Sequence, residues 1–150
     1  FTTMAGAVFQ PAYKKAIVEI LKRNNMEDQL IFCGNLKRDQ LARMYCLNHV
    51  GVFASTYPEA FGIVAAEIQA SGLALVSSGV GGAAEILEHE KTGLLFEPGN
   101  AIDLANQLMR LANQPNDLRR IAFLGQQKMK EIFSVRSSCK KLERLLEDRD

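Results

Sequence analysis

The chain has 150 residues, 47% of them hydrophobic and 23% charged, with a formal net charge of +1. That is the composition of one globular domain with a sizeable core, and it excludes a disordered or repetitive chain. A near-neutral balance also argues against a dedicated nucleic-acid binder, which is usually strongly basic.

Residues 1–6 read as a strand running into a glycine turn, as if the chain began inside an element of a larger protein. Pro11 suits a first helical position, and Tyr13, Ala16, Ile17, Ile20 and Leu21 follow at helical spacing to about Asn24. Residues 30–32 form a short strand closed by Gly34, and residues 38–47 a helix with Leu41, Met44 and Tyr45 on its inner face. Residues 50–54 are apolar with almost no alternation, the pattern of a strand covered on both faces. A helix over 62–71, a strand over 73–77, a glycine turn at 79–82, a short helix over 83–87 and a strand over 93–96 complete the alternation. Five strand and helix alternations predict an α/β fold, a Rossmann-like doubly wound parallel sheet with right-handed crossovers.

Beyond the Pro98-Gly99 turn only helices are expected. Asn100 is an N-cap with Asp103 in the first turn, and Ile102, Ala105, Leu108, Met109 and Ala112 form the apolar stripe. Pro115 opens a helix carrying Leu118, Ile121, Ala122, Gly125 and Met129. Ser134 caps a last amphipathic helix with Val135, Cys139, Leu142, Leu145 and Leu146 inside and Lys140, Lys141, Arg144 and Arg149 outside. From residue 119 onward nine basic side chains face five acidic ones, a balance of +4, so the first 118 residues carry −3. The basic last helix reads as a solvated face, with attraction to an anionic membrane as the lesser alternative.

Cys33, Cys46 and Cys139 are odd in number and scattered, which indicates neither a disulfide framework nor a zinc site and fits a reducing cytoplasm. His49 and His89 show no metal spacing. No apolar run reaches the length of a membrane span.

The chemistry concentrates in residues 55–72, STYPEAFGIVAAEIQASG. Glu67 sits in an alanine-rich apolar helix, where a carboxylate is costly unless it reaches solvent or binds a polar group. Glu59 lies eight residues earlier, at the helix mouth. Between them Gly62 has no side chain, and the first-turn N-H groups can face a phosphate or sugar oxygen. On spacing alone the two acids would be ordinary surface residues.

The segment from Glu59 to Glu67 resembles the E-x7-E motif of retaining GT-B glycosyltransferases of the family 4 type, which includes sucrose and sucrose-phosphate synthases. Four further blocks, at residues 30–34, 41–55, 71–78 and 81–85, and a fifth at 92–96, look like that family's in the same order. Ala74 and Ala84 stand where the family often has proline. The resemblance covers nearly the whole chain and implies the nucleotide-sugar-binding C-terminal domain of a two-domain enzyme. It implies that Glu67 accepts hydrogen bonds from the ribose, and that Glu59, the candidate catalytic residue, holds the transferred sugar. Backbone groups of Phe61, Gly62 and Ile63 then donate to sugar and diphosphate, and Asn35 and Leu36 lie against the base.

By the same resemblance the donor is a UDP-, ADP- or GDP-hexose, no metal or cofactor is called for, and the anomeric configuration is retained. The family's phosphate-binding Arg and Lys, its first strand-helix unit and its N-terminal acceptor domain have no counterpart in these 150 residues. The chain alone is therefore expected to bind a donor weakly and to transfer nothing. Two other readings are a dinucleotide-binding domain, whose G-x-G-x-x-G is absent after Met4, and a non-catalytic binding or assembly module of the same fold.

Overall fold

The computed structural model describes residues 2–6 and 10–147, so Phe1 of the expected first strand and Arg149 of the last helix lie outside the described residues. The chain divides into two compact units, Phe1–Met44 and Tyr45–Asp150.

The first unit pairs β1 (Thr2–Ala5) with β2 (Leu30–Gly34) in parallel, Thr2 opposite Leu30 and Met4 opposite Phe32. Between them runs α1 (Pro11–Arg23), opened by its proline and closed at Asn24, whose Nδ2 donates to the Ile20 carbonyl at 2.8 Å. Its inner face differs from the expected one. Tyr13, Ala16 and Ile20 are exposed, while Lys14, Ile17, Val18 and Leu21 are half-buried, a continuous helical stripe. The reason is the aliphatic stem of Lys14, which packs like an apolar residue and holds its ammonium 4.7 Å from the centre of the Phe32 ring. Helix α2 (Arg38–Cys46) begins in this unit and ends in the next.

The second unit holds β3 (Val50–Phe53), α3 (Ile63–Ala70), β4 (Ala74–Ser77), α4 (Ala83–Ile86) and β5 (Gly93–Leu95), then α5 (Ala101–Asn113), α6 (Pro115–Ile132) and α7 (Val135–Glu147). Its three strands pair in parallel in the order β3-β4-β5. The parallel α/β architecture is the one expected, with hydrogen bonding arranged as a two-stranded and a three-stranded ladder. Strand β4, paired on both sides, is buried along its whole length. At the end of this ladder β3 is not covered on both faces as expected: Val52 is 41% exposed while Phe53 is buried. One core cluster joins Ala74, Val76, Leu94 and Phe96 to Leu111 of α5 and Ile121 and Ala122 of α6.

The expected inner residues of α6 are all inside, and both predicted caps form. Asn100 accepts from the N-H groups of Ile102 and Asp103, and Ser134 Oγ from that of Ser137. The expected stripe of α5 is largely wrong. Ile102, Ala105, Met109 and Ala112 are exposed, and Leu104, Leu108 and Leu111 turn inward. Both faces are apolar, and the one with three leucines buries the larger side chains against β4 and α6. The expectation for α7 also fails: Val135, Cys139, Leu142, Leu145 and Leu146 are exposed, and no residue of this helix is buried. Amphipathic spacing records that a face is apolar, but not that anything in the same chain covers it.

Candidate functional site

The loop after β3 is pinned at its base by β4's end. Ser78 Oγ donates to the Ser55 carbonyl at 2.6 Å, and the Ser78 N-H donates to that of Phe53 at 3.0 Å. Further along, Glu59 pairs with Gly81 in a parallel bridge, and the Gly82 N-H donates to the Glu59 carbonyl at 2.8 Å. This contact explains the two glycines. Gly81 has φ +66°, and a Cβ there would lie 2.6 Å from the Glu59 nitrogen; one on Gly82 would come to 2.6 Å from the Phe61 Cα. A side chain at either position would push the Glu59 to Phe61 backbone away.

The backbone then turns through Gly62, left-handed at φ 81°, whose carbonyl accepts from the Ala66 N-H at 3.2 Å and starts α3. A Cβ on Gly62 would meet the Ala83 Cβ at 3.1 Å, so close packing on α4, as well as the turn, requires glycine here. Among the described residues no side chain caps α3, and Ile63 and Val64 are 64% and 46% exposed, so the positive end of the helix dipole opens on solvent. Glu67 lies about one turn further in, half-buried, and accepts a long hydrogen bond of 3.4 Å from the Tyr45 hydroxyl. Burial pushes the Tyr45 phenol above its ordinary range, and the Glu67 charge and hydrogen bond push the same way. Thus the Glu67 carboxylate has the polar partner its apolar helix demanded.

Glu59 itself is exposed at the loop's tip. Phe61 is 41% exposed and packs its ring against Phe133, centroids 5.7 Å apart at 59°. The structure thus gathers Glu59, Phe61, Gly62, Ile63 and Glu67 with Gly81 and Gly82 around one helix start. Asn35 and Leu36 follow β2 in the first unit, the former exposed and the latter half-buried. Glu85 faces solvent, and His89 is satisfied by the Leu95 N-H, 2.9 Å from its Nδ1. Among the described residues no three His, Cys, Asp or Glu side chains cluster as a metal site, and no helix is long and apolar enough to cross a membrane.

Three contributors escaped sequence reasoning. The sequence marks Tyr45 only as an inner-face helix residue and Ser78 only as the last residue of the block at 71–78, and it does not single out Phe133. A serine pair closing an apolar strand was the one local signal available.

A parallel α/β domain with glycine loops at its strand ends has the doubly wound architecture, in which ligands sit outside the carboxyl ends of the strands. The chain is a member of the glycosyl transferases group 1 family, whose model matches residues 2–128. Over 117 residues it is 28% identical to N-acetyl-alpha-D-glucosaminyl L-malate synthase of Bacillus anthracis, covering 78% of this chain and 30% of that protein. It is 30% identical over 115 residues to a sulfoquinovosyl transferase of Arabidopsis thaliana, covering 75% and 22%. Among solved structures, Alr3699/HepE of Anabaena in complex with UDP superimposes with a TM-score of 0.85 at 26% identity, covering 97% of this chain and 40% of that one. A sucrose-phosphate synthase of Thermosynechococcus elongatus gives 0.80 at 29% identity, covering 99% and 39%. The fold is accordingly the Rossmann-like C-terminal domain of GT-B glycosyltransferases, and the chain spans less than a third of the length of these curated relatives.

Proposed function

We propose that this chain is the donor-binding domain of a retaining glycosyltransferase of the family 4 type, which moves a hexose from a nucleoside diphosphate to an acceptor. The observation that carries the reading is the pairing of Glu59 with Gly81 and Gly82, which presents an uncapped α3 start with Glu67 one turn inside. Complexes of Alr3699/HepE with UDP and with UDP-glucose support a uridine nucleotide as the first donor to test.

In this reading Glu67 accepts hydrogen bonds from ribose hydroxyls, and Tyr45 steadies the carboxylate. The N-H groups of Phe61 to Ile63 donate to the diphosphate and the sugar, and Glu59 holds hydroxyls of the sugar being transferred. Breaking the sugar-phosphate bond leaves negative charge on the departing diphosphate. A preorganised helix start stabilises that charge more in the transition state than in the ground state, so it accelerates transfer rather than merely binding donor. The reaction needs no metal in principle. These 150 residues span less than a third of the length of the relatives named above, and in this reading they bind donor weakly and do not turn it over by themselves.

Calorimetry with UDP tests the assignment. Glu67→Ala is expected to weaken binding by about tenfold or more, the loss of a charge-assisted hydrogen-bond pair, with circular dichroism unchanged. Unchanged affinity contradicts the ribose role, and glycosyl transfer by the isolated chain contradicts its predicted inactivity.

A further inference from the structure

We infer that Phe133, at the corner between α6 and α7, is a positioning residue for the donor loop; the inference rests on the donor-binding reading above. The loop from Glu59 to Gly62 is held on one side by backbone contacts to Gly81 and Gly82. Those contacts fix Glu59 and Ala60 but leave the Phe61 side chain to be placed by something else. That something is the Phe133 ring, 5.7 Å from the Phe61 centroid and inclined at 59°, a favourable tilted aromatic geometry.

Phe133 is suited to the task because its own backbone is fixed. Its N-H donates to the Met129 carbonyl at 3.1 Å as α6 ends, and Met129 is buried. One residue before Met129, the Lys128 ammonium donates to the Glu85 carbonyl at 3.2 Å and pairs with Glu88 at 3.3 Å, tying this end of α6 to the end of α4. One residue after Phe133, Ser134 caps α7. The ring therefore projects from a corner anchored on both sides. Phe61 in turn immediately precedes Gly62, whose φ of 81° sets the direction of the α3 start. Removing the ring frees Phe61 and lets the Gly62 turn sample other conformations, so the first-turn N-H groups are no longer presented in one orientation.

The test compares Phe133→Ala, Phe133→Tyr and Phe61→Ala with the double variant, in the whole chain. Amide NMR spectra are read with and without UDP. The expected result without ligand is that Phe133→Ala shifts or broadens the amides of Gly62 and Ile63 while those of Leu75 and Leu94 stay in place. Phe133→Tyr restores the original spectrum. With UDP, Phe133→Ala weakens binding about three- to tenfold, and adding Phe61→Ala costs nothing further, because the two rings act as one unit. Unmoved Gly62 and Ile63 amides, or additive losses from the two alanines, overturn the inference. If the unliganded spectra behave as expected but the parent chain ignores UDP, the positioning role stands and the donor-binding reading fails.

Discussion

The Tyr45 hydroxyl and the Glu67 carboxylate, 22 residues apart in sequence and 3.4 Å apart in space, give the most specific chemical expectation at the scale of single residues. The Tyr45 phenol titrates above the ordinary value of 10.0, first because it is buried and second because ionising it beside Glu67 sets two negative charges together. Glu67→Gln removes the second cause and leaves the first. Tyrosine-labelled NMR titration should therefore find the Tyr45 pKa lower in Glu67→Gln than in the parent, yet still raised. No change would mean that the two groups do not meet in solution. A raised folded value means that Tyr45 contributes stability below pH 10.0 that is lost as pH rises through its own titration. The sequence made Glu67 legible, because a lone acid among alanines stands out. It could not supply Tyr45, since nothing local tells which distant side chain shares the space. Gly81 and Gly82 were legible only as a turn. That they are glycines because Glu59 and Phe61 backbone presses on them is a tertiary fact.

At the scale of elements, α5 and α7 carry the main lesson. Helix boundaries followed from Pro11, Asn100, Pro115 and Ser134, and the structure places each within a residue or so of the expectation. Helix faces followed less well, because α5 is apolar on two sides and the apolar face of α7 is exposed among the described residues. The difference has a measurable consequence. Leu111→Ala, at 1% exposure, should cost about 2–5 kcal/mol in denaturant unfolding. Ile102→Ala, Leu142→Ala and Leu145→Ala, all more than half exposed, should each cost less than about 0.5 kcal/mol. A large loss at Leu142 or Leu145 would show that α7 packs inward after all. Among the strands, residues 73–77 read simply as a strand and prove buried along their whole length in β4, while Val52 in β3 reads as covered and is not.

For the molecule as a whole, family membership is firm and the fold follows from it. Within the second unit, surface charges fasten the segment between α4 and β5 to the helical layer. Arg110 pairs with Glu90 at 2.6 Å and with Asp117 at 3.2 Å, Arg120 pairs with Asp117, and Lys128 and Lys91 hold Glu88. Hydrogen bonds from these cations keep Glu88 and Glu90 below 4.5 and Asp117 below 3.8, their ordinary values. Depressed carboxylates contribute stability above those ordinary values and lose it as pH falls through the lowered ones. The melting temperature should therefore decline as pH drops below 4.5, and Arg110→Gln should shrink that decline. An identical acid profile for the variant would show that the network does not contribute to acid stability. Added salt should weaken most the Lys91–Glu88 pair, which is exposed on both sides, and least the pairs of the partly buried Asp117.

The proposal that the α3 start and its glycine neighbours receive a nucleoside diphosphate is tested most directly by titrating the labelled chain with UDP and following its backbone amides. Shifts are predicted to concentrate at Gly62 to Ala66, at Glu67 and at Gly81 and Gly82. Shifts that bypass all of these, or a spectrum that UDP leaves unchanged at millimolar concentration, would contradict it.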